Sequence, residues 1–406
     1  MNKNPRNIYN NILVKNVSPE EFHKMRNALS TETVTNATKW HLIFDFDGTI
    51  VSGDPELCAA SEAAKKNGIM ICSCSTGRLV GDRLENRGES EMSFANTLAE
   101  IVASGGAEYC VEIAPGVKDV YVWTFDDGEE MLNKIARAME KPLEEVIKNH
   151  EVTIHGVEDG RIYVYVPYPK EKEEKLTPIV KAHGGLVEAY MAGALDDEEA
   201  LPIREYEKRG MPWWLIKYLP QSEIPQITAY ITQFTVVSGE LEKFVENFEK
   251  EGIELALQRR IKDREKGSRG AMEGIHPDIS DIQPKGINKG VHLKAIAEDP
   301  NTVTVVFGDQ WNDRPIAEIA DVVFITTPQF KAGPETLSFA IYMAELAKEG
   351  KKVAFVMDLE DGKLGNRAAI ELMNAKSEEE AKDICEKWVN SEENHKIIDT
   401  LLAMKK

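Results

Sequence analysis

Between His41 and Gly106 the chain alternates short apolar runs with longer amphipathic ones. HLIFDF reads as a strand, PELCAASEAAKKNG as a helix, IMICSCS as a strand and EMSFANTLAEIVAS as a helix, closed by Gly105-Gly106. The rhythm stops there and resumes far downstream with the helix KGVHLKAIAED, the strand TVTVVFG, the helix DRPIAEIA and the strand DVVFIT. Alternation of this kind builds a parallel sheet covered by helices, so the expected class is α/β with a Rossmann-like core split by an insertion.

The insertion carries its own pattern. RIYVYVPY, KEEKLTPIVKAHGG and LVEAYM read as strand, helix and strand, and ITAYITQFTVV, GELEKFVENFEKEG and IELALQ repeat that order. The expected division is an extension over 1–38, a core over 39–106 and 284–330, an inserted α+β domain over 107–283, and a C-terminal helical extension over 331–406 that packs on the core. Hinges are expected near 104–107 and 283–286. In the first extension, SPEEF predicts a helix start with Ser18 as N-cap and Glu21 three residues later. PETLSFAIYMAELAKEG predicts a helix and KKVAFVMDL a strand after position 330.

Composition narrows the partners. The 406 residues are 42% hydrophobic and carry 49 Lys+Arg against 69 Asp+Glu, a formal charge of −20. That sign disfavours general association with nucleic acid or anionic membrane. The N-terminus has no apolar segment of signal-peptide length and no stretch approaches a membrane span, so a cytoplasmic protein is expected. The five cysteines, Cys58, Cys72, Cys74, Cys110 and Cys385, form no disulfide framework. The eight histidines show no HExxH spacing. Nothing in the pattern sets an oligomeric state.

LIFDFDGTIV holds the first candidate chemistry. If HLIF is a buried strand, Asp45 and Asp47 emerge at its carboxyl end, where open α/β sheets bind ligands. Gly48 lets the chain turn away, and Thr49 places a hydroxyl beside the acids. Two carboxylates this close suit phosphoryl transfer, one attacking phosphorus and the other moving protons, with a divalent cation between them. VTVVFGDQWND repeats the logic, with Asp309 at a strand end and Asn312-Asp313 before a helix that Asp313 would cap. Either Ser75 or Thr76 of STGR, and either Lys285 or Lys289 of PKGINKG, could meet a phosphoryl group.

DFDGT, STGR, the lysine of PKGINKG and GDQWND, in that order, resemble the four motifs of the haloacid dehalogenase superfamily. The insertion between the second and third resembles its type IIB, C2-capped phosphatases, which act mostly on sugar phosphates. The resemblance implies Asp45 as nucleophile and Mg²⁺ ligand, and Asp47 as general acid/base and ligand. It implies Thr76 and Lys289 as phosphoryl-binding, Asp309 as the further ligand, and Asn312 and Asp313 in support of the metal. Arg78 is a further phosphate-binding candidate. The expected activity is a Mg²⁺-dependent phosphatase of a small phosphorylated metabolite. A phosphotransferase or phosphomutase with the same nucleophile, and a non-catalytic regulatory relative, are the alternatives. Ser104-Gly105-Gly106 and Trp311 depart from the family pattern, and the indole could crowd or shield the metal loop.

Two stretches of the insertion could choose the substrate. RRIKDREKGSRG gathers Arg259, Arg260, Lys262, Arg264, Lys266 and Arg269, either to attract a second anionic group or as a solvated loop. Trp213, Trp214 and Tyr218 of MPWWLIKYLP could stack on a sugar or simply pack in a core.

Overall fold

The computed structural model describes residues 12–17, 21, 24, 40–46, 48–50, 53–67, 70–75, 94, 97–98, 100–106, 108–114, 117–123, 128–148, 152–158, 161–201, 203–204, 216–224, 230–236, 241–259, 278–284, 288–290, 294, 297, 301–326, 338–356 and 365–404. The chain forms two compact units, one of Met1–Lys15, Glu20–Tyr121 and Ile287–Lys406, the other of Asn16–Pro19 and Val122–Gly286.

The first unit is built on a nine-stranded sheet. Its strands are β1 (Ile12–Val17), β2 (Trp40–Phe44), β3 (Met70–Ser75), β4 (Glu100–Ala103), β5 (Glu108–Ala114), β6 (Val117–Trp123), β13 (Val303–Gly308), β14 (Val322–Thr326) and β15 (Lys352–Val356). They lie in the order β1-β6-β5-β4-β3-β2-β13-β14-β15. From β4 to β15 every neighbouring pair is parallel. The chain steps outward from β2 through β3 to β4 on one side, then returns beside β2 as β13 and steps outward through β14 to β15. The point where the strand order reverses therefore lies between β2 and β13, the place where doubly wound sheets bind ligands.

Burial on both faces explains why these strands read as unbroken apolar runs. All five residues of β2 and of β14 are buried. On one face Ile43, Val306, Val323 and Ile325 pack against Phe339, Met343, Ile397 and Leu401 from the helices Ser338–Lys348 and Glu392–Met404. On the other, Phe44, Phe307 and Phe324 stand side by side in register, with ring centroids 4.8 and 4.7 Å apart. This aromatic floor lies directly beneath the strand ends that carry the acids.

The boundary expected for the core differs from the one the structure shows. The core does not pause at 107, because β5 turns back antiparallel on β4 and β6 continues the same sheet. Residues 104–106 are thus a tight turn within the core, and the chain passes between units at Tyr121/Val122 and again at Gly286/Ile287. After 330 the strand expected over KKVAFVMDL forms as β15, parallel beside β14, between helices. The N-terminal segment contributes β1 to the sheet, while Ser18 of the expected helix start lies outside the described residues and Glu21 is helical.

The second unit holds a six-stranded sheet in the order β11-β12-β10-β7-β8-β9. Its strands are β7 (Val152–Glu158), β8 (Arg161–Tyr168), β9 (Ile216–Pro220), β10 (Tyr230–Val236), β11 (Ile253–Arg259) and β12 (Asp278–Pro284). Helices Gly128–Ala138 and Leu241–Lys250 bury Leu132, Ile135 and Phe248 against Ile154 and Tyr165 of this sheet. LVEAYM is a helix, Leu186–Met191, not a strand. Leu186 and Ala189 are buried three residues apart on one face, a period that six residues are too few to reveal. The parallel partner of β8 is instead β9. In the first unit, EMSFANTLAEIVAS divides likewise, its Glu100–Ala103 end being β4. Among the described residues no helix is long and apolar enough to cross a membrane.

Candidate active site

β2 and β13 run parallel with Phe44 opposite Phe307, so the residues that leave them, Asp45 and Asp309, emerge together. The Asp45 amide donates to the Phe307 carbonyl at 2.9 Å, which extends the pairing by one residue and fixes where Asp45 begins to diverge. Asp45, Asp309 and Asp313 are all buried, and a carboxylate oxygen of each lies within 4.8 Å of the others. Lys289 answers them. Its Nζ donates to Asp45 Oδ1 at 2.8 Å and to Asp313 Oδ1 at 2.6 Å, with the side chain only 2% exposed.

The turn after Asp45 is shaped around Asp309. Gly48 adopts φ +83°, and a Cβ there would stand 2.1 Å from Asp309 Oδ2, so only glycine allows the carboxylate to lie against the backbone. The Thr49 hydroxyl donates to Asp309 Oδ1 at 3.4 Å, and Gln310 Nε2 donates to Asp309 Oδ2 at 3.2 Å. Asp313 does not cap the helix Arg314–Ile319 with its side chain. Its Oδ2 turns back to accept from the amides of Asp309 at 3.1 Å and Gln310 at 3.3 Å, leaving Oδ1 for Lys289. The loop after β13 is therefore closed on itself through one carboxylate.

These groups perturb one another. Burial pushes the Asp309 carboxyl well above the usual carboxylate range, and the nearby charges of Asp45 and Asp313 raise it further. Burial alone would lower the Lys289 ammonium, but Asp313 and Asp45 outweigh it and raise the group above its ordinary value. Three acids against one cation leave the cluster short of positive charge. The Oδ1 of Asn312 is buried and accepts no hydrogen bond among the described residues.

Of the residues singled out in the sequence, the structure brings together Asp45, Lys289, Asp309 and Asp313, with Asn312 in the same loop. Asp47, Thr76, Arg78 and Lys285 lie outside the described residues, as do Trp213, Trp214 and the basic run from Arg260 to Arg269. Tyr218 is a core residue, edge-on to Tyr168 at 4.8 Å. Trp311 packs against Phe339 and Tyr342 on the helix Ser338–Lys348, at ring centroids 5.6 and 5.3 Å. In Ser104-Gly105-Gly106, Gly106 takes φ +107° and a Cβ there would stand 2.4 Å from the carbonyl of Asn288, next to Lys289, so this position requires glycine. Sequence reasoning missed Gln310 and Thr326; the latter's hydroxyl donates to the Gly48 carbonyl at 3.0 Å. A polar residue ending an apolar strand was the available signal for Thr326.

No protein-family model and no curated protein sequence matches the chain. Among solved structures it is similar to a haloacid dehalogenase-like hydrolase from Bacteroides thetaiotaomicron, at 15% identity and TM-score 0.43 over 81% of this chain and 97% of that one. It is similar to a putative HAD/COF-like hydrolase from Plasmodium vivax at 14% identity and TM-score 0.45, over 87% and 99%. It is also similar to the sucrose-phosphatase of Synechocystis at 12% identity and TM-score 0.39, over 83% and 98%. All three similarities are at low identity, and the assignment of chemistry to this chain rests on its own residues.

Proposed function

We propose that the protein is a Mg²⁺-dependent phosphatase of the haloacid dehalogenase type, hydrolysing a small phosphate monoester, a sugar phosphate by preference, through an aspartyl-phosphate on Asp45. The observation that carries this reading is the buried Asp45–Lys289–Asp313 chain beside Asp309 at the sheet's switch point. A purely structural cluster gains nothing from three buried carboxylates with one cation, whereas a phosphoryl-transfer site needs both signs of charge in one place.

The donor set fits a hard divalent ion: carboxylate oxygens of Asp45 and Asp309, with Asn312 Oδ1 and Asp313 in support. Mg²⁺ would supply the charge that lets an anionic nucleophile meet an anionic ester. In the proposed reaction an oxygen of Asp45 attacks phosphorus, and the ester oxygen leaves with a proton from Asp47, the role that the sequence resemblance implies. Asp47 then takes a proton from water as the water attacks the aspartyl-phosphate, releasing inorganic phosphate and restoring Asp45. Lys289 holds Asp45 in place and offsets charge on the transferred group. The inserted unit, by the same resemblance, chooses the substrate.

The test is phosphate release from a panel of phosphorylated sugars, sugar acids and nucleotides, with Mg²⁺ and with EDTA. Release that EDTA abolishes supports the reading, and the fastest ester names the substrate class. Transfer of labelled phosphate to a hydroxyl acceptor in place of water would make the protein a phosphotransferase, and silence across the panel would overturn the enzymatic reading.

The metal also has a pH signature. Because the folded chain holds the Asp309 carboxyl above its unfolded value, the fold binds a proton that the unfolded chain releases, and metal-free stability falls as pH rises above about 4. Mg²⁺ requires the carboxylate form. The melting temperature gained on adding Mg²⁺ is therefore expected to be larger at pH 8 than at pH 5. Equal gains at both would remove these carboxylates from metal binding.

A further inference from the structure

The turn that follows Asp45 is held from outside the motif that contains it. Its two successive carbonyls each accept a hydrogen bond from a residue far along the chain: Gly48 O from Thr326 Oγ1 at 3.0 Å, and Thr49 O from the Gly365 amide at 2.9 Å. Gly365 precedes the helix Asn366–Met373, in the segment beyond β15. Its fit against the turn is close, since a Cβ would meet Thr49 O at 2.9 Å and Thr326 Cγ2 at 3.1 Å.

The next residue grips the other end of the same stretch. Asn366 is fully buried, and its Nδ2 donates to Asp54 Oδ2 at 3.0 Å. Asp54 is itself buried, and its Oδ1 accepts from the Glu56 amide at 2.9 Å, at the start of the helix Pro55–Asn67. Residues 49 and 54, the middle and the end of the 45–54 connection from β2 to its helix, are thus tied to two consecutive residues of the C-terminal segment.

We infer that Gly365 and Asn366 are positioning residues for the active site: a clamp that holds the Gly48-Thr49 turn against Asp309. The inference rests on the phosphatase reading above. Gly48 lies against Asp309 Oδ2 and the Thr49 hydroxyl donates to Asp309 Oδ1, so a displacement of the turn reaches both oxygens of that carboxylate. Catalytic constellations tolerate only about 0.5 Å of such displacement. Thr326, at the end of β14, holds the turn from the sheet side. Gly365 holds it, and Asn366 holds the Asp54 end of the same connection, from the C-terminal segment, which gives that segment a role in chemistry beyond covering the sheet.

The test compares the full-length wild type with N366A, N366D and the exchange D54N/N366D, measuring Mg²⁺ binding by calorimetry, kcat and KM on the fastest ester of the panel, and thermal melting. N366D sets two carboxylates against each other, while in the exchange the amide and carboxylate trade places and one hydrogen bond again joins the two positions. N366A and N366D are each expected to weaken Mg²⁺ binding and lower kcat by about tenfold or more, the usual cost of losing a supporting contact, with KM little changed. The exchange is expected to recover Mg²⁺ affinity to within about threefold of wild type. Wild-type Mg²⁺ affinity and kcat in N366A or N366D would overturn the clamp. So would an exchange variant that melts like wild type yet binds Mg²⁺ no better than N366D. A wild-type chain that binds Mg²⁺ but hydrolyses no ester would sink the phosphatase reading and leave the Mg²⁺ series to decide the clamp. A wild-type chain that binds no Mg²⁺ would overturn both.

Discussion

Asp45→Asn is expected to lower turnover by at least about 10⁴-fold while leaving the metal-free protein as heat-stable as the wild type, or more so. The asparagine keeps an oxygen at the position that accepts from Lys289 Nζ at 2.8 Å, and Lys289 retains Asp313 at 2.6 Å. Shape and hydrogen bonding survive, and only the negative charge of the proposed nucleophile is lost. The charge of Asp45 is also one of the causes that raise the Asp309 carboxyl, so its removal relieves a repulsion that costs stability at neutral pH. Rapid-quench or steady-state phosphate release, read beside a melting curve without metal, checks both halves. A variant that keeps more than about one part in a hundred of the activity would remove Asp45 from the nucleophile role. A variant that melts far below wild type would mean that the negative charge is structural.

The parts of the fold that could be read from sequence are those in which burial imposes a single pattern. β2, β13 and β14 are covered on both faces, so they appear as unbroken apolar runs, and an acid at the end of such a run announces the sheet's carboxyl edge. Asp45 and Asp309 could be singled out for that reason, and Asp313 by its place just before a helix. Lys289 could be favoured over Lys285 from its spacing before a helix, but its partners could not be read, because they are 244 and 24 residues away. β5 and β6 were assigned to the insertion because the alternation of strand and helix stops at Gly106, and an antiparallel return carries no such rhythm. Gly365 and Asn366 were invisible for a further reason. Their partners, Thr49 and Asp54, lie more than 300 residues earlier, and a hydrogen bond across that separation leaves no local periodicity. Trp311 shows the converse error. Its place in the acidic loop suggested interference with a ligand, while the indole is taken up by Phe339 and Tyr342 of a helix that supplies the adjoining core.

Lys289→Met is expected to cost both activity and metal-free stability, and the two losses respond differently to pH. Methionine keeps most of the apolar stem, so packing is largely retained, but Asp45 and Asp313 lose the ammonium that both accept from, and Asp309 loses a nearby positive charge. Removing one partner of a buried ion pair typically costs about 3–5 kcal/mol, because the opposite charge stays buried. The carboxylates can escape that cost only by taking up protons. The Asp309 carboxyl, already held above its unfolded value, loses the lowering influence of the Lys289 charge and rises further, so stability falls more steeply as pH increases above about 4. Denaturant melts without metal should show the variant far weaker than wild type at pH 8 and closer to it at pH 5. Mg²⁺ should restore part of the stability at pH 8, since it supplies the missing positive charge. It should leave kcat at least about 10³-fold low, because the donor that holds Asp45 and offsets charge on the transferred phosphoryl group is gone. A loss of stability equal at both pH values would point to packing rather than charge, and would take from Lys289 the electrostatic role assigned to it.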